Sequence, residues 1–271
     1  IIINMITSLK TLAELVNLEY IGDDVAIKTV AINSSYIKDD SLFVAIVANR
    51  DGHEFIAQAI ANGAKALLVS TKQDNVTIPQ IICDNTIRTL RVFAQEYRKS
   101  LFMPIIALTG SCGKTSVKEM IVTLLRDKKT HATFANFNNY LGVPITMLET
   151  PRDVDFAIIE AGTSVHGEIK AAADIIYPDV ALITNVGASH LENLLTVDGV
   201  MIEKGELLKS VSLSSCSIIN LDDDRIAKYS ANLDCKKITC SMVDNKADIF
   251  VKKYSLSQNK YEINISIFDT G

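Results

Sequence analysis

The sequence lacks the features that mark several common classes of protein. Its 271 residues include 27 basic and 32 acidic side chains, and the net charge of −5 gives no electrostatic footprint for binding nucleic acid. No apolar run reaches the roughly 18 residues of a membrane-spanning helix. The first residues show no basic region followed by a long apolar one, so no signal peptide is expected. What is left is a chain that is 48% hydrophobic, able to bury a sizeable core and long enough for two domains.

Cysteines are few and form no C-x-x-C pair. They are Cys83, Cys112, Cys216, Cys235 and Cys240. This usage favours a reduced, cytoplasmic setting over a disulfide framework. The chain also has no internal repeat and no low-complexity segment.

Hydrophobic patterning predicts an α/β fold with two domains. Residues 1–101 alternate short strands and helices and form a small N-terminal α/β domain. Strands and helices alternate again over 102–271, which predicts a mostly parallel sheet with helices on both faces. A hairpin of 248–254 with 261–267 follows and the chain then stops on a turn signal, so we expect this domain to be incomplete at its C-terminal end, with an open strand edge. Its other predicted strands are Ile105–Leu108, Phe156–Glu160, Val180–Asn185, Cys216–Asn220 and Lys237–Cys240.

The strongest motif joins a short apolar run to a helix. The run Ile105–Leu108 is followed by Thr-Gly-Ser-Cys-Gly-Lys-Thr-Ser, residues 109–116, and then by apolar residues at helical spacing. Glycines and a helix N-terminus direct backbone N–H groups at an anion. Lys114 can reach β/γ-phosphates and the Thr115 hydroxyl can bind Mg²⁺. We therefore predict a P-loop, in a form shorter than G-x-x-x-x-G-K-[ST]; the alternative is a glycine turn with a surface lysine.

Three further residues are candidates for the same site. Glu160 ends a predicted strand, where ligands bind in an open α/β sheet; it is a candidate Mg²⁺ ligand or an acidic cap on the next turn. His190 follows the next strand, and taken alone it is a solvated loop histidine. Lys204 lies between Glu203 and Glu206 in a predicted helix, and taken alone it is a surface lysine paired at helical spacing.

Two polar runs and one cysteine also allow more than one interpretation. Asn138 and Asn139 precede a Gly-Val-Pro sequence and are ordinary loop residues or ligand contacts. The run Asp222–Asp224 follows a strand and is typical of a helix N-terminus. For Cys112, inert packing in the loop is favoured over a catalytic thiol.

Taken together, the order of these motifs resembles the Mur ligases, the ATP-dependent enzymes that build the peptidoglycan stem peptide. The motifs occur in family order and spacing, and the match runs from about Met5 to the end of the chain. Within the family the pattern is most similar to the enzymes that join D-alanyl-D-alanine to UDP-N-acetylmuramoyl-tripeptide. The motifs are residues 107–120 (ALTGSCGKTSVKEM), 136–144 (NFNNYLGVP), 159–162 (IEAG), 166–169 (HGEI), 185–192 (NVGASHLE) and 203–206 (EKGE).

The resemblance implies three domains: one for the UDP-sugar substrate, a central ATPase and a C-terminal domain for the incoming amine. It implies that ATP phosphorylates the terminal carboxylate of the tripeptide and that the amine of D-alanyl-D-alanine then displaces phosphate from the acyl phosphate. The cofactors it implies are ATP, two Mg²⁺ ions and a carbamate that CO₂ forms on Lys204. Residues 1–101 match the first of these domains and 102–271 match part of the second.

The resemblance also assigns roles to individual residues. Lys114, Lys204 and His190 match catalytic positions, and Ser34, Ser35 and His53 are expected to contact the UDP-sugar substrate. Thr115 and Glu160 match the ligands of one Mg²⁺, and His190 with carbamylated Lys204 those of the second. The positions expected to bind nucleotide are Gly110, Ser111, Cys112, Gly113, Lys114, Thr115, Ser116, Asn138, Asn139, Asn220 and Asp222.

The chain departs from the family pattern at several positions. Asn33-Ser34-Ser35 replaces an Asp-Ser/Thr-Arg run, Ala48 replaces a glycine and Tyr140 replaces an acidic residue. Asn193-Leu194-Leu195 stands in place of Gly-Phe-Gly. These changes affect the segments expected to bind the UDP-sugar and the substrate loop.

Two alternatives follow from the extent of the match. In the first alternative to a ligase, the chain is a truncated, non-catalytic remnant that at most binds nucleotide. In the second, it is one half of a split ligase whose C-terminal domain is a separate chain docking near residues 261–267. A folylpolyglutamate synthetase shares the short glycine loop but lacks the combination of Asn-Phe-Asn-Asn and His-Gly-Glu-Ile.

Overall fold

The computed structural model describes residues 7–48, 50–257 and 260–267. They form two compact units: Ile1–Met103 with Thr133–Asp155, and Pro104–Ala132 with Phe156–Gly271. The predicted α/β class with mostly parallel sheets is confirmed. The domain limits predicted from the sequence, and the substrates assigned to each domain, stay predictions.

The secondary-structure elements follow the predicted order, with short strands added. The strands are β1 (Thr7–Ser8), β2 (Tyr20–Ile21), β3 (Ala26–Ile27), β4 (Thr29–Ala31), β5 (Ser41–Val44), β6 (Ala64–Val69), β7 (Gln80–Ile82), β8 (Ile105–Thr109), β9 (Thr130–Ala132), β10 (Phe156–Glu160), β11 (Val180–Ile183), β12 (Cys216–Asn220), β13 (Lys236–Ser241), β14 (Ile249–Ser257) and β15 (Lys260–Ile267). The helices are α1 (Leu9–Leu15), α2 (Ile56–Ala61), α3 (Thr86–Arg98), α4 (Lys114–Leu124), α5 (Gly142–Leu148), α6 (Glu168–Ile176), α7 (Leu191–Leu194), α8 (Val197–Lys209) and α9 (Asp224–Ser230). Short 3₁₀ turns cover Ser34–Tyr36 and Gly52–Phe55.

The first unit is built on a sheet of order β2-β7-β6-β5-β4, parallel except for β2, beside the antiparallel pair β1–β3. Phe43 and Leu67 are almost fully buried in its core and pack with Ile56 of α2. Helix α5 packs on α3, where the Tyr97 hydroxyl donates a hydrogen bond to the Thr150 carbonyl at 2.8 Å. This contact secures residues 133–155 within the first unit.

The second unit contains the larger sheet, of order β15-β14-β13-β12-β11-β8-β10-β9, in which only β14 and β15 pair antiparallel. In its register Glu160 lies opposite Leu108, and Ile183 lies opposite Thr109. The carboxyl ends of β10, β8 and β11 therefore lie side by side. Because ligands bind at this end of a parallel sheet, the candidate site is located here.

The predicted hairpin at the end of the chain is confirmed, and β15 forms an outer edge of the sheet. Ile263 and Ile265 of this strand are each 55% exposed. None of the helices in the described ranges combines the length and the apolar content that crossing a bilayer requires.

Candidate active site

The loop between β8 and α4 has the backbone shape that the sequence predicts. Gly113 has a φ of 77°, in the left-handed region that favours glycine, and it ends the loop where α4 begins. Gly110 is needed for a different reason, since a Cβ at this position would overlap the Thr184 side chain. The N-terminal N–H groups of α4 follow directly and are free of intrahelical partners.

The end of β11 fixes the loop from one side. Thr184 donates its hydroxyl to the Cys112 carbonyl at 2.6 Å. The Asn185 side chain bonds the same residue twice, accepting from the Cys112 N–H and donating to the Cys112 carbonyl, each at 3.0 Å. The Ser111 N–H donates to the Asn185 carbonyl at 3.0 Å. The loop is thus held in shape before any ligand binds.

The Ser111 side chain is engaged by the segment that follows. The Gly187 N–H donates to Ser111 Oγ at 2.9 Å, and the same oxygen lies 3.1 Å from the Gly187 carbonyl. Ser111 Oγ is also 3.1 Å from Ser189 Oγ. Ser111 therefore connects the glycine loop to residues 187–189.

The two residues predicted to hold a nucleotide and its metal have defined partners. Lys114 Nζ donates to the Gly110 carbonyl at 2.9 Å, folding back over its own loop. Thr115 Oγ1 donates to Glu160 Oε2 at 2.9 Å, and Glu160 is 1% exposed. The structure thus brings together the hydroxyl and the carboxylate that the sequence places 45 residues apart.

This pair fits Mg²⁺. The described residues contain no group of three or more His, Cys, Asp or Glu side chains arranged to hold a metal. Mg²⁺ at a nucleotide site needs fewer, because it takes one or two protein oxygens and completes its shell with phosphate and water. One hydroxyl and one carboxylate are the donors that such a site requires.

Lys204 is buried, and the surface-lysine interpretation is wrong. It is 2% exposed in α8. Its pKa is lowered to about 8, chiefly by burial and then by the positive charge of Lys114, while the charge of Glu203 acts in the opposite direction. The two lysines therefore share one electrostatic environment, and a larger part of Lys204 is neutral near pH 7 than for an exposed lysine.

Glu203 is buried as well, at 3% exposure. Its two oxygens accept separate backbone N–H groups at the start of α6: Oε2 from Gly167 and Oε1 from Ile169, both at 2.8 Å. The Thr163 hydroxyl adds a bond of 3.3 Å. A carboxylate at a helix N-terminus is stabilised by the unpaired N–H groups there. Glu203 therefore ties α8 to the segment that follows Glu160.

His190 lies in a left-handed turn, with φ of 51°, just before α7. Its side chain is 42% exposed, and Nδ1 is 3.9 Å from Glu192 Oε1. The structure thus leaves this imidazole accessible at the carboxyl edge of the sheet. Its role in holding a second metal stays a prediction.

Asn220 and Asp222 already have partners within the fold. Asn220 donates its side-chain amide to the Thr184 carbonyl at 3.0 Å. The Asp222 carboxylate accepts from the Ser241 hydroxyl and from the Met242 N–H, the latter at 2.7 Å. They position the ends of β11 and β13, and their contact with a nucleoside stays a prediction.

Ser116 lies in the first turn of α4, and the remaining predicted residues belong to the first unit. Ser34 is 5% exposed and donates to Gln58 Oε1 at 2.8 Å, while Ser35 is exposed. Asn139 Oδ1 accepts from the N–H groups of residues 141 and 142 and so closes the turn before α5, with Asn138 next to it in the chain. The predicted ligand contacts of these residues stay predictions.

His53 is held at both ring nitrogens. Nδ1 lies 2.6 Å from Asp51 Oδ1, and Nε2 accepts the Ser70 N–H at 3.1 Å. Because Nε2 accepts, the ring proton is on Nδ1 and is donated to Asp51. The predicted contact of His53 with the UDP-sugar stays a prediction.

Sequence reasoning did not assign the loop supports Thr184 and Asn185, or the buried anchor Glu203. Polar residues directly after an apolar strand, at the edge where ligands bind, were the available signal for the first two. Glu203 gave no such signal, because its partners are 34 and 36 residues away in the chain.

The glycine loop, the Thr115–Glu160 pair and the mostly parallel sheet form an α/β domain with a candidate nucleotide site at the carboxyl ends of its strands, and a family model covers this part of the chain. Residues 108–271 match the Mur ligase middle domain, which is more than half of the chain. The chain belongs to the Mur ligase family.

Two curated relatives carry the same description, UDP-N-acetylmuramoyl-tripeptide–D-alanyl-D-alanine ligase. The protein from Buchnera aphidicola of Acyrthosiphon pisum is 34% identical over 241 residues, covering 88% of this chain and 53% of the relative. That from Escherichia coli K12 is 35% identical over 233 residues, covering 85% of this chain and 51% of the relative. The chain thus spans about half the length of the curated relatives it matches.

Solved structures agree with this family assignment. A crystal structure of MurF from Acinetobacter baumannii superimposes with a TM-score of 0.89 at 26% identity, over 98% of this chain and 59% of that one. MurF from Thermotoga maritima in complex with ADP gives a TM-score of 0.79 at 27% identity, over 89% of this chain and 56% of that one.

Proposed function

We propose that this chain carries the UDP-sugar and ATP-binding parts of a ligase that joins D-alanyl-D-alanine to UDP-N-acetylmuramoyl-tripeptide in peptidoglycan synthesis. The observation that carries the proposal is the bond between Thr115 Oγ1 and Glu160 at the base of a preformed glycine loop. The relatives of the same description support the choice of substrates. A C-terminal domain on a separate chain remains a prediction.

In this proposal the loop N–H groups and Lys114 bind the phosphates of ATP and orient the terminal phosphate towards the carboxylate of the tripeptide. Thr115 and Glu160 are the ligands of one Mg²⁺, and His190 contributes to a second. The metal supplies neutralisation of phosphate charge, and the residues supply position. The reaction class is carboxylate activation by phosphate followed by amide formation.

We propose further that Lys204 is carbamylated. Its lowered pKa of about 8 supports this role, because only a neutral amine attacks CO₂. A bond would form between Nζ and the carbon of CO₂ as one C–O π bond breaks, the nitrogen would lose a proton to water, and the product would be an anionic carbamate. Such an anion beside Lys114 gains a favourable charge interaction where two ammonium groups would repel each other.

A cytoplasmic setting is part of the proposal. It is supported by free cysteines in the described structure, three of which, Cys83, Cys216 and Cys240, have pKa values raised by burial. Thiols of this kind stay protonated and unreactive.

The test is binding of ATP with Mg²⁺ to the 271-residue chain, measured by isothermal titration calorimetry. Lys114→Ala is expected to reduce the affinity by at least about 10-fold, since a charge-assisted contact to phosphate contributes roughly 1.5–3 kcal/mol. The matched control is Lys128→Ala, which removes an equal charge from an exposed position just after α4. Unchanged ATP affinity in Lys114→Ala, or equal losses in both variants, contradicts the proposal.

Substrate choice is tested separately. UDP-N-acetylmuramoyl-tripeptide is titrated into the same chain, with UDP-N-acetylmuramic acid lacking the peptide as the matched ligand. We expect tighter binding of the tripeptide form, since the proposal makes its terminal carboxylate the group that ATP activates. Equal affinity for the two ligands contradicts the choice of substrate and leaves ATP binding untouched.

A further inference from the structure

Asp223 connects two segments of the second unit through its two carboxylate oxygens. Oδ1 accepts the N–H groups of Arg225 at 3.1 Å and Ile226 at 3.3 Å, which makes Asp223 the N-cap of α9. Oδ2 accepts the Val186 N–H at 2.7 Å, from the segment that follows β11. An N-cap needs only one side-chain oxygen, so the second oxygen is available for another task.

The segment that Asp223 holds is the one that supports the glycine loop. Val186 is followed by Gly187, whose N–H and carbonyl both lie within hydrogen-bonding distance of Ser111 Oγ, at 2.9 and 3.1 Å. Val186 is preceded by Asn185, which bonds Cys112 of the same loop. A short path of hydrogen bonds thus runs from Asp223 through residues 185–187 to the loop.

A charged acceptor strengthens the first link of this path. The bond of 2.7 Å from a backbone N–H to a carboxylate is of the short, charge-assisted kind. Loss of the acceptor leaves the Val186 N–H without this partner, and the segment, although still bonded to the loop through Asn185 and Gly187, is held less firmly. The expected result is a loop whose N–H groups are less well ordered for an incoming phosphate.

We propose that Asp223 is a positioning residue for the phosphate-binding loop, acting through Val186, Gly187 and Ser111. This inference rests on the proposed function, since it assumes that the loop binds nucleotide. It assigns Asp223 no contact with the ligand. The adjacent Asp222 has different partners, Ser241 and Met242, and is not part of this path.

The experiment uses Asp223→Asn, because this substitution separates the two tasks of one side chain. Asn keeps Oδ1 and caps helices as well as Asp does, so α9 is retained. It replaces Oδ2 by an NH₂ group, which only donates and cannot accept the Val186 N–H. The matched control is Asp224→Asn, which removes the same charge from the next residue, exposed in the first turn of α9.

ATP with Mg²⁺ is titrated into each variant of the 271-residue chain. Asp223→Asn is expected to bind ATP roughly 3- to 10-fold more weakly, at or below the smallest loss expected for one hydrogen bond to a charged acceptor, because Asp223 acts on the loop indirectly. Asp224→Asn is expected to stay within about twofold of the parent, as an exposed substitution does. Circular dichroism and thermal unfolding check that both variants fold; if Asp223→Asn does not, Asp223→Ser, which also caps with one oxygen, takes its place.

A double-mutant cycle distinguishes positioning of the loop from general stabilisation. In a Ser111→Ala background the link between Gly187 and the Ser111 hydroxyl is already lost, so Asp223→Asn should weaken ATP binding by a smaller factor than it does in the parent. Equal affinity of Asp223→Asn and the parent, equal losses in the two aspartate variants, or full additivity with Ser111→Ala each overturns the inference. Absence of ATP binding by the parent chain instead overturns the proposed function.

Discussion

Replacing Lys204 by methionine should make the folded protein more stable. The pKa of this lysine is lowered from 10.5 to about 8, so the folded state pays for a buried ammonium at neutral pH. At about 1.4 kcal/mol for each pKa unit, the cost is roughly 3 kcal/mol. Methionine keeps a long apolar side chain in the same space and removes the charge. We therefore expect Lys204→Met to be more stable than the parent at pH 7, by up to about 3 kcal/mol.

The sign of the pH dependence follows from the same values. Between pH 8 and 10.5 the unfolded chain keeps the Lys204 proton and the folded chain has lost it. The free energy of unfolding therefore rises with pH across this window, and below pH 8 it is reduced by the full cost of the buried ammonium. The difference in unfolding free energy between Lys204→Met and the parent should shrink to roughly 1 kcal/mol at pH 9.5, because Lys204 of the folded parent is mostly neutral there. The other titrating groups are common to both proteins, so their contributions cancel.

The assay is urea unfolding of both proteins at pH 7 and pH 9.5, in CO₂-free buffer so that no carbamate forms. Because the charge of Lys114 is one cause of the lowered pKa, the difference at pH 7 should also be smaller in a Lys114→Met background. A Lys204→Met variant that is no more stable than the parent at pH 7 would refute the reasoning. So would a stability difference that is the same at both pH values.

Three other substitutions test packing and hydrogen bonding within the second unit. Gly205→Ala should lose about 1–3 kcal/mol in urea unfolding, because the new methyl group overlaps the Tyr229 ring, and Tyr229→Ala in the same chain should recover part of the loss. Glu203→Gln should lower the free energy of unfolding by about 1–3 kcal/mol, because the amide oxygen can accept only one of the two N–H groups that the carboxylate pairs with. The control is Asp198→Asn, which is exposed on the same helix and should change the free energy of unfolding by less than about 0.5 kcal/mol. Thr115→Val should weaken the Mg²⁺-dependent part of ATP binding in calorimetry while Thr115→Ser retains it, and equal binding by both would contradict the assignment of this hydroxyl.

Much of the fold and part of the site could be predicted because their signals are local. The strand Phe156–Glu160 was predicted with its observed limits, and the helix after the glycine loop within a few residues. The rule that ligands bind at the carboxyl ends of parallel strands made Glu160 a candidate for the site, with an acidic cap as the alternative, and the family resemblance paired it with Thr115. The local sequence of a short apolar strand or of a glycine loop is enough to predict its conformation, almost independently of the rest of the chain.

Burial of individual helix faces could not be predicted in the same way. The apolar spacing after the loop correctly predicts α4, yet Met120 is 62% exposed and Leu124 83% exposed, while Lys118 is 2% exposed. Glu203 and Lys204 look like members of a solvated charge run, and both are buried. Which face of a helix is covered depends on elements distant in the chain, and periodicity within the helix carries no information about them.

Because Lys114 donates a hydrogen bond to the Gly110 carbonyl, a ligand of the loop must offer this lysine a better acceptor than that carbonyl. In the free protein the ammonium group already has an acceptor, so an incoming ligand gains only the difference between its own oxygen and a neutral carbonyl. A neutral hydroxyl or amide offers almost no difference, whereas a phosphate oxygen carries charge and forms a stronger bond. Neutral ligands therefore gain little binding free energy from Lys114, and in the free protein its bond to Gly110 stabilises the loop.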